Sequence, residues 1–557
     1  MDAPRPADIP YTDAIIYELH VRDLSVSPDS GITNKGKFLA FTERGTKGPN
    51  GVATGVDHLV EMGITHLHLL PVFDFRSIDE TKLEDNRFNW GYDPQHFNVP
   101  EGSYSTDPYN GEVRINEFKQ MVQSLHAADI RVVMDVVYNH TGASADSDFS
   151  KIVPFYYYRF NENGSFSNGS GTGNETASER SMVRKHFIDS VVYWAKEYKI
   201  DGFRFDLMAL HDIETMNMIR AALDEVNPNI LIYGEGWTGG TSPLPEAEQA
   251  LKVNASQLDR IAVFSDDMRD GLKGSVFIDT DAGFVNGKFN LENTIRFGIV
   301  GSVQHPGVSA TNILYSPKFW AKEPHHTINY AEAHDNLTLY DKLMLTNPES
   351  TPEEITRMHR LANAIVLTSQ GIPFIHAGSE WKRTKFGDHN SYQSPDSVNQ
   401  LVWADKDTNM DHVNYFKGLI QLRKNHPAFR MPTADLIRNH LSFIESPSNT
   451  VAYTIADAPE EEWSNITVLI NGNTEEATFT LPSKGWVVVV NGEEAGESSL
   501  ARVSGDSITV DAQTLVVLVD ASSFGSDNLL LWAGVSAVML LLVLGYVFRD
   551  KWLIKKA

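Results

Sequence analysis

The chain has 557 residues, a formal charge of −26 and no cysteine. That length accommodates a large barrel plus a further domain. The acid excess argues against a nucleic-acid partner, whose phosphates need a basic footprint, and the missing Cys excludes disulfides, thiolate metal sites and a Cys nucleophile.

Taken in chain order, the opening "MDAPRPADIPYTDA" lacks the apolar core of a signal peptide. Short β-rich runs then alternate with helical stretches. Strand candidates are "AIIYELHV" (14–21), "THLHLLPV" (65–72), "RVVMDVVYNH" (131–140), "DGFRFDLM" (201–208) and "ILIYGEGW" (230–237). A weaker "GSVFIDT" (274–280) is the sixth, followed by "INYAEAHDN" (328–336) and "GIPFIHAGSE" (371–380). Helices are expected between them, such as 115–130 and 182–199. Eight strands alternating with helices predict an α/β (β/α)8 barrel over 11–425, and their near-continuous apolar character fits a sheet covered on both faces. The Gly-, Asn- and Ser-rich stretch within 141–180 reads as an inserted loop over one end of the barrel.

The texture changes after the barrel. Runs such as "ITVLINGN", "GWVVVVNG" and "TLVVLVDA", separated by Gly, Asn and Pro, predict a small antiparallel β-sandwich domain over 426–521. Residues 522–528 read as a polar linker. The uncharged apolar run 529–548 is long enough to span a bilayer, and the basic tail 549–557 would lie in the cytoplasm. The expectation is therefore a single-pass protein of the cell membrane, with its large domain outside. Such a domain needs an export signal, so upstream sequence is expected to be missing from this chain.

Polar residues gather where the predicted strands end: Asp135, Asn139 and His140; Arg204 and Asp206; Glu235 and Trp237; His334, Asp335 and Asn336. In a parallel barrel these ends open into one pocket. Arg204 and Asp206 alternate, so they share a face, and the guanidinium is expected to lower the Asp206 pKa and keep it ionised as a nucleophile. Glu235 sits between glycines beside an indole, where apolar walls raise a carboxyl pKa and suit a proton donor. Asp335 adds like charge and can stabilise an oxocarbenium-like transition state. The imidazoles of His140 and His334, neutral or hydrogen-bonding, can grip sugar hydroxyls. Each acid alone can equally be an ion pair fixing a strand end. The loop "RFNWGYDPQHF" (87–97) carries Trp90, Gly91, Tyr92 and Asp93, which suit either the face of a sugar ring or an ordinary packed turn.

Other candidates carry less. His66 and His68 alternate within a strand and read as barrel-interior residues rather than metal ligands; adjacent His325 and His326 read as loop. Neither a Gly-rich phosphate loop nor an EF-hand pattern is present. No metal site is assigned and no cofactor is required, although the acidic, Asn-rich loops leave room for structural Ca2+.

With these residues in place, "DVVYNH", "GFRFDLMAL", "YGEGW" and "EAHDN" resemble, in order and spacing, the four signature regions of the α-amylase family of glycoside hydrolases. "FNWGYDP" resembles a stretch typical of the type I pullulanases, which debranch α-1,6 linkages. The resemblance covers most of the chain, from about Asp13 to about Ala521. It implies that Asp206 is the nucleophile, Glu235 the general acid/base and Asp335 the transition-state stabiliser. It implies that Arg204, His140 and His334 surround the sugar on the non-reducing side of the cut, with Tyr92 as its stacking ring. Trp237, Asn336, Asp388, Asn390 and Tyr392 resemble further substrate-binding residues. Phe88 stands where a Tyr is usual and Ala209 where a Gly is common. The expected partner is an α-glucan: pullulan, limit dextrin, amylopectin or glycogen. Two alternatives are an α-1,4-acting enzyme on the same scaffold and a non-catalytic surface protein that binds carbohydrate.

Overall fold

The computed structural model describes residues 4–524. Eight parallel strands close into a barrel: β1 (Ile16–Leu19), β2 (His66–Leu69), β3 (Arg131–Val136), β4 (Gly202–Phe205), β5 (Leu231–Gly234), β6 (Ile261–Phe264), β7 (Thr327–Tyr330) and β8 (Ile372–His376). Each pairs with its sequence neighbours, and β8 closes on β1.

Side chains alternate across each strand. One set points out to the helices and joins the main core, among them Tyr17, Leu67, Val132, Phe203, Ile232 and Val263. The other set fills the barrel with Ile16, Val133, Tyr233, Ala262, Phe264, Ile328 and Phe374. Higher in the barrel the same inward positions become charged. Glu18 is in register with His68 and His376, and Asp135 with Arg204. The apolar layers thus form a floor beneath a charged layer, which faces the C-terminal ends of the strands.

The helices follow from ordinary end signals. Gly111–Ala127 is capped by Asn110, and Pro352–Thr368 opens with a reciprocal Thr351–Glu354 capping box and a Pro at its first position. The helices expected at 115–130 and 182–199 occur as Gly111–Ala127 and Ser181–Glu197.

One strand differs from expectation. The sixth barrel strand is "IAVF" at Ile261–Phe264, not the stretch at 274–280. The latter is a turn that begins at Gly274 in a positive-φ conformation and leaves Phe277 85% exposed. A barrel strand is buried on both faces; all four residues of "IAVF" are, whereas Phe277 and Ile278 are not.

The C-terminal unit is a six-stranded antiparallel sheet, β9 (Leu441–Phe443), β10 (Thr450–Ala456), β11 (Asn465–Asn471), β13 (Trp486–Val490), β14 (Ala501–Val503) and β16 (Thr514–Asp520), with a separate pair β12 (Ala477–Thr480) and β15 (Ser507–Val510). Sheet order is β9-β10-β11-β16-β13-β14. β14 and β15 were not foreseen; they are short and lack a continuous apolar run. The expected transmembrane helix is a further correction. Among the described residues no helix is long and apolar enough to cross a membrane. The run 529–548 on which it was placed lies outside them. The architecture on view is barrel plus β-domain.

Candidate active site

Arg204 organises the charged layer. Its Nη1 donates to both carboxylate oxygens of Asp135 at 2.9 and 3.1 Å and to Asp206 Oδ1 at 3.0 Å. Its Nη2 lies 2.7 Å from Glu235 Oε1. One guanidinium therefore bridges the two carboxylates that follow β4 and β5. Asn139, just past β3, donates to Asp206 Oδ2 at 2.7 Å and to the Asp206 carbonyl at 2.8 Å. The Leu207 amide donates to Glu235 Oε2 at 2.8 Å. Leu207 adopts a left-handed backbone at φ 38°, strain that is retained where the surroundings fix it.

Burial moves both acids in the same direction, which is not what the sequence suggested for Asp206. Burial raises Asp206, against the pull of Arg204, so the guanidinium does not bring its pKa below the ordinary value. Glu235 is raised to about 8, chiefly by burial, with Asp206 and Asp335 adding to the shift. The shift favours the protonated form of Glu235, as a proton donor requires.

Asp335 and His334 lie on the loop after β7. The Asp335 side chain is 53% exposed, at the mouth of the site. His334 is buried and tied at two points to Glu18, by its Nδ1 at 2.7 Å and its amide at 2.7 Å. Burial lowers its pKa, but Glu18 and Asp335 outweigh this and bring it to about 9. His334 is therefore a cation, not a neutral imidazole. His140, by contrast, is lowered by burial. It hydrogen-bonds through Nε2 to the Tyr92 carbonyl at 2.8 Å and through Nδ1 to Asn139 Oδ1 at 2.6 Å.

Trp90 and Tyr92, in the turn after Phe88, join this network. Tyr92 donates its hydroxyl to Asp135 Oδ2 at 2.7 Å and stacks on His334 with ring centroids 5.1 Å apart. Trp90 is buried and meets His334 edge-on at 4.7 Å. Gly91 has φ 98°, and a Cβ there would lie 2.9 Å from the Phe75 ring, so the bend that presents Tyr92 requires glycine. Asp93 turns away and accepts from Ser77 Oγ at 2.6 Å.

A cavity of about 340 Å3 opens onto Glu18, Arg204, Glu235, Trp237, His334, Asp335 and Asn336. Tyr92, His140 and Asp206 join its polar network through Arg204, Asn139 and His334. Tyr392 lies beside Trp90, whose amide donates to its carbonyl at 2.9 Å. Asp388 and Asn390 are not brought in by contact. Asp388 accepts from the Asn390 amide at 2.9 Å and from Ser394 Oγ at 2.5 Å, and both lie in their own loop.

The sequence reading missed several site residues. Glu18 was not singled out within the first strand, yet a Glu in a strand buried on both faces must be paired. His68, read as interior packing, lies 3.1 Å from Asp135 Oδ2. Asp266 and Arg269 line the cavity just after the true β6, so misplacing that strand hid them. Arg269 approaches the Trp237 ring at 5.9 Å and donates to the Tyr330 hydroxyl at 3.0 Å.

Among the described residues one acidic group, Asp74, Glu80 and Glu101, brings oxygens within 4.8 Å of one another. Arg114 pairs with Glu80, and burial raises Glu101 to about 8, so the cluster carries less negative charge than its composition implies. Its donor set is already compensated by Arg114, without a metal ion.

Residues 437–494 match the family described as "Pullulanase, all-beta domain", and residues 37–154 match "Alpha amylase, catalytic domain". The chain is 43% identical over 472 residues to a pullulanase of Bacillus subtilis (strain 168), an alignment covering 85% of this chain and 64% of that protein. It is 31% identical to chloroplastic pullulanase 1 of Arabidopsis thaliana, covering 92% of this chain and 66% of the relative. The chain thus spans about two thirds of the length of these curated relatives. The pullulanase of Paenibacillus barengoltzii, solved with maltohexaose and α-cyclodextrin, superposes with a TM-score of 0.87 at 48% identity, covering 93% of this chain and 79% of that one. For a type I pullulanase of Bacillus subtilis str. 168 solved with maltose, the TM-score is 0.89 at 39% identity, with 94% and 72% covered.

Proposed function

We propose that this chain, which belongs to the pullulanase family of glycoside hydrolases, hydrolyses α-1,6-glucosidic branch linkages with retention of anomeric configuration. The observation that carries the reading is the sharing of one Arg204 guanidinium by Asp206 and Glu235, with Glu235 raised to about 8. Retaining enzymes keep their two carboxyls about 5–5.5 Å apart, whereas inverting ones leave room for a water at about 6.5–9.5 Å. A shared guanidinium favours the shorter spacing.

In this reading a glucan chain enters at the C-terminal end of the barrel, with one glucosyl ring against Tyr92. Glu235, still protonated, gives its proton to the glycosidic oxygen. Asp206 attacks C1 as that bond breaks, and a glucosyl ester forms. Positive charge that develops on the ring is met by Asp335 at the mouth. Glu235, now a base, takes a proton from water, and the resulting attack at C1 releases the sugar and frees Asp206. His334 and Arg204, both cations, orient the carboxylates and donate to sugar hydroxyls. Trp237, Asn336, His140 and Tyr392 are further binding residues in this proposal, and Asp388 and Asn390 would contribute only by way of their loop. No step uses an organic cofactor. The partner is an α-glucan, consistent with the malto-oligosaccharides bound in the related structures.

The stereochemical half of the proposal is tested by proton NMR of the first sugar released from an α-1,6-branched oligosaccharide. Initial appearance of the α-anomer supports a glycosyl-enzyme; initial β-anomer means a direct attack by water, and Asp206 is then no nucleophile.

A further inference from the structure

A second cleft, of about 250 Å3, lies on the same end of the barrel, walled by Arg22 and by residues of the segments 35–37, 78–87 and 396. Its lining carries five cations, Arg22, Lys35, Lys37, Lys82 and Arg87, against two acids, Asp79 and Asp396. Such a concentration runs against the charge of the molecule, which is −26 overall.

Both acids are already engaged. Asp396 grips Arg22 with two contacts of 2.5 and 3.1 Å, and Asp79 lies 2.9 Å from Lys82. The other three cations have no such partner: among the described residues, no carboxylate lies within 4.0 Å of Lys35, Lys37 or Arg87. Lys35 donates to the Ser27 carbonyl at 2.7 Å and to Ser30 Oγ at 2.5 Å. Lys37 donates to the carbonyls of Ser103 and Ser105 at 2.8 and 3.0 Å. These oxygens fix each ammonium in place but do not neutralise it. Each ammonium has three donors, so one remains free. Burial lowers Lys37, and the nearby Arg22 lowers it further. Lys37 thus lies in a half-buried wall beside Arg22, its ammonium held by neutral carbonyl oxygens rather than by a bonded carboxylate.

We infer that this cleft binds a phosphate dianion, taken up between Lys35, Lys37 and Arg87, at a site separate from the catalytic acids. Two lysine ammoniums held by neighbouring oxygens, with the Arg87 guanidinium at the rim, suit a tetrahedral anion, and ammonium and guanidinium groups both bind phosphate strongly. Two sources carry this group, inorganic phosphate and a phosphate ester on a glucan chain. The inference does not depend on hydrolysis, because binding is read without turnover.

The test is calorimetric titration of the full chain at pH 7 and low salt. The probes are inorganic phosphate, maltotriose and maltotriose bearing a 6-phosphate. The variants are Lys37→Met and the rim substitution Arg87→Gln, the latter on an exposed side chain that leaves the fold intact. Saturable phosphate binding, weakened about tenfold in each variant as expected for the loss of one charge-assisted bond, supports the site. Hydrolysis by Arg87→Gln should be unchanged. Tighter binding of the phosphorylated sugar than of both other probes identifies a glucan-borne ester as the ligand; equal binding of inorganic phosphate identifies the free ion. Absence of saturable binding by either phosphate probe, or binding unchanged in both variants, overturns the inference.

Discussion

Replacing Glu18 by Gln removes the carboxylate that makes His334 a cation while leaving an oxygen to accept from its backbone. In the native protein burial alone would keep His334 neutral at pH 7, and Glu18, with a smaller share from Asp335, reverses this, raising the imidazole from 6.5 to about 9. At about 1.4 kcal/mol per pH unit, that displacement is about 3 kcal/mol of stability. Because the folded pKa is the higher one, the contribution is complete below pH 6.5, declines as pH rises, and is gone above about 9. Breaking a buried pair costs about 3–5 kcal/mol, a similar size. Native protein should therefore exceed Glu18→Gln in urea resistance by about 3 kcal/mol at pH 6, and the gap should close by pH 9.5. Other groups titrate in this window, among them Glu235 and Lys385, so the quantity that matters is the difference between the two proteins. A histidine NMR titration, with His334→Gln to assign the resonance, reads the pKa directly. A gap that stays constant from pH 6 to pH 9.5, or a His334 resonance that titrates near 6.5 in the native protein, would refute the reasoning.

Three further outcomes follow from the same geometry. Arg204→Ala leaves Asp135, Asp206 and Glu235 without their shared counter-charge; it should abolish turnover and lower stability by about 3–5 kcal/mol, read by hydrolysis rate and urea unfolding. Gly91→Ala forces a Cβ against Phe75 in a positive-φ bend, which should cost about 1–3 kcal/mol and raise KM more than it lowers kcat, since it displaces Tyr92 and not the acids. Activity should fall as pH rises through about 8, where Glu235 loses the proton it must donate; Glu235→Gln should lower kcat by about 100- to 10,000-fold on glucans and by much less on an aryl glycoside whose leaving group needs no proton.

Much of this site was legible in the sequence because the barrel converts position along a strand into position in space. Asp206 and Glu235 are far apart in the chain, yet each follows an inward-facing Arg204 or Tyr233 by two residues, so the period of a strand places both over the same floor. The sixth strand was harder to read. "IAVF" is only four residues long and bounded by Arg260 and Ser265, and the stretch at 274–280 offers a comparably short apolar run, Val276 to Ile278; burial, a property of the whole fold, decides between them. Charge states were less legible still. Arg204 beside Asp206 predicted a lowered pKa, but desolvation in the closed site outweighs the guanidinium. The His334 cation depends on Glu18, which lies 316 residues away in the chain.

The most direct measurement is the product pattern from pullulan, for the full chain beside an Asp206→Asn control. Maltotriose as sole product, absent in the control, is the predicted result and means α-1,6 cleavage through Asp206. Panose or isopanose would mean cleavage of α-1,4 linkages, and equal product from the control would mean that Asp206 is not the nucleophile; either contradicts the account.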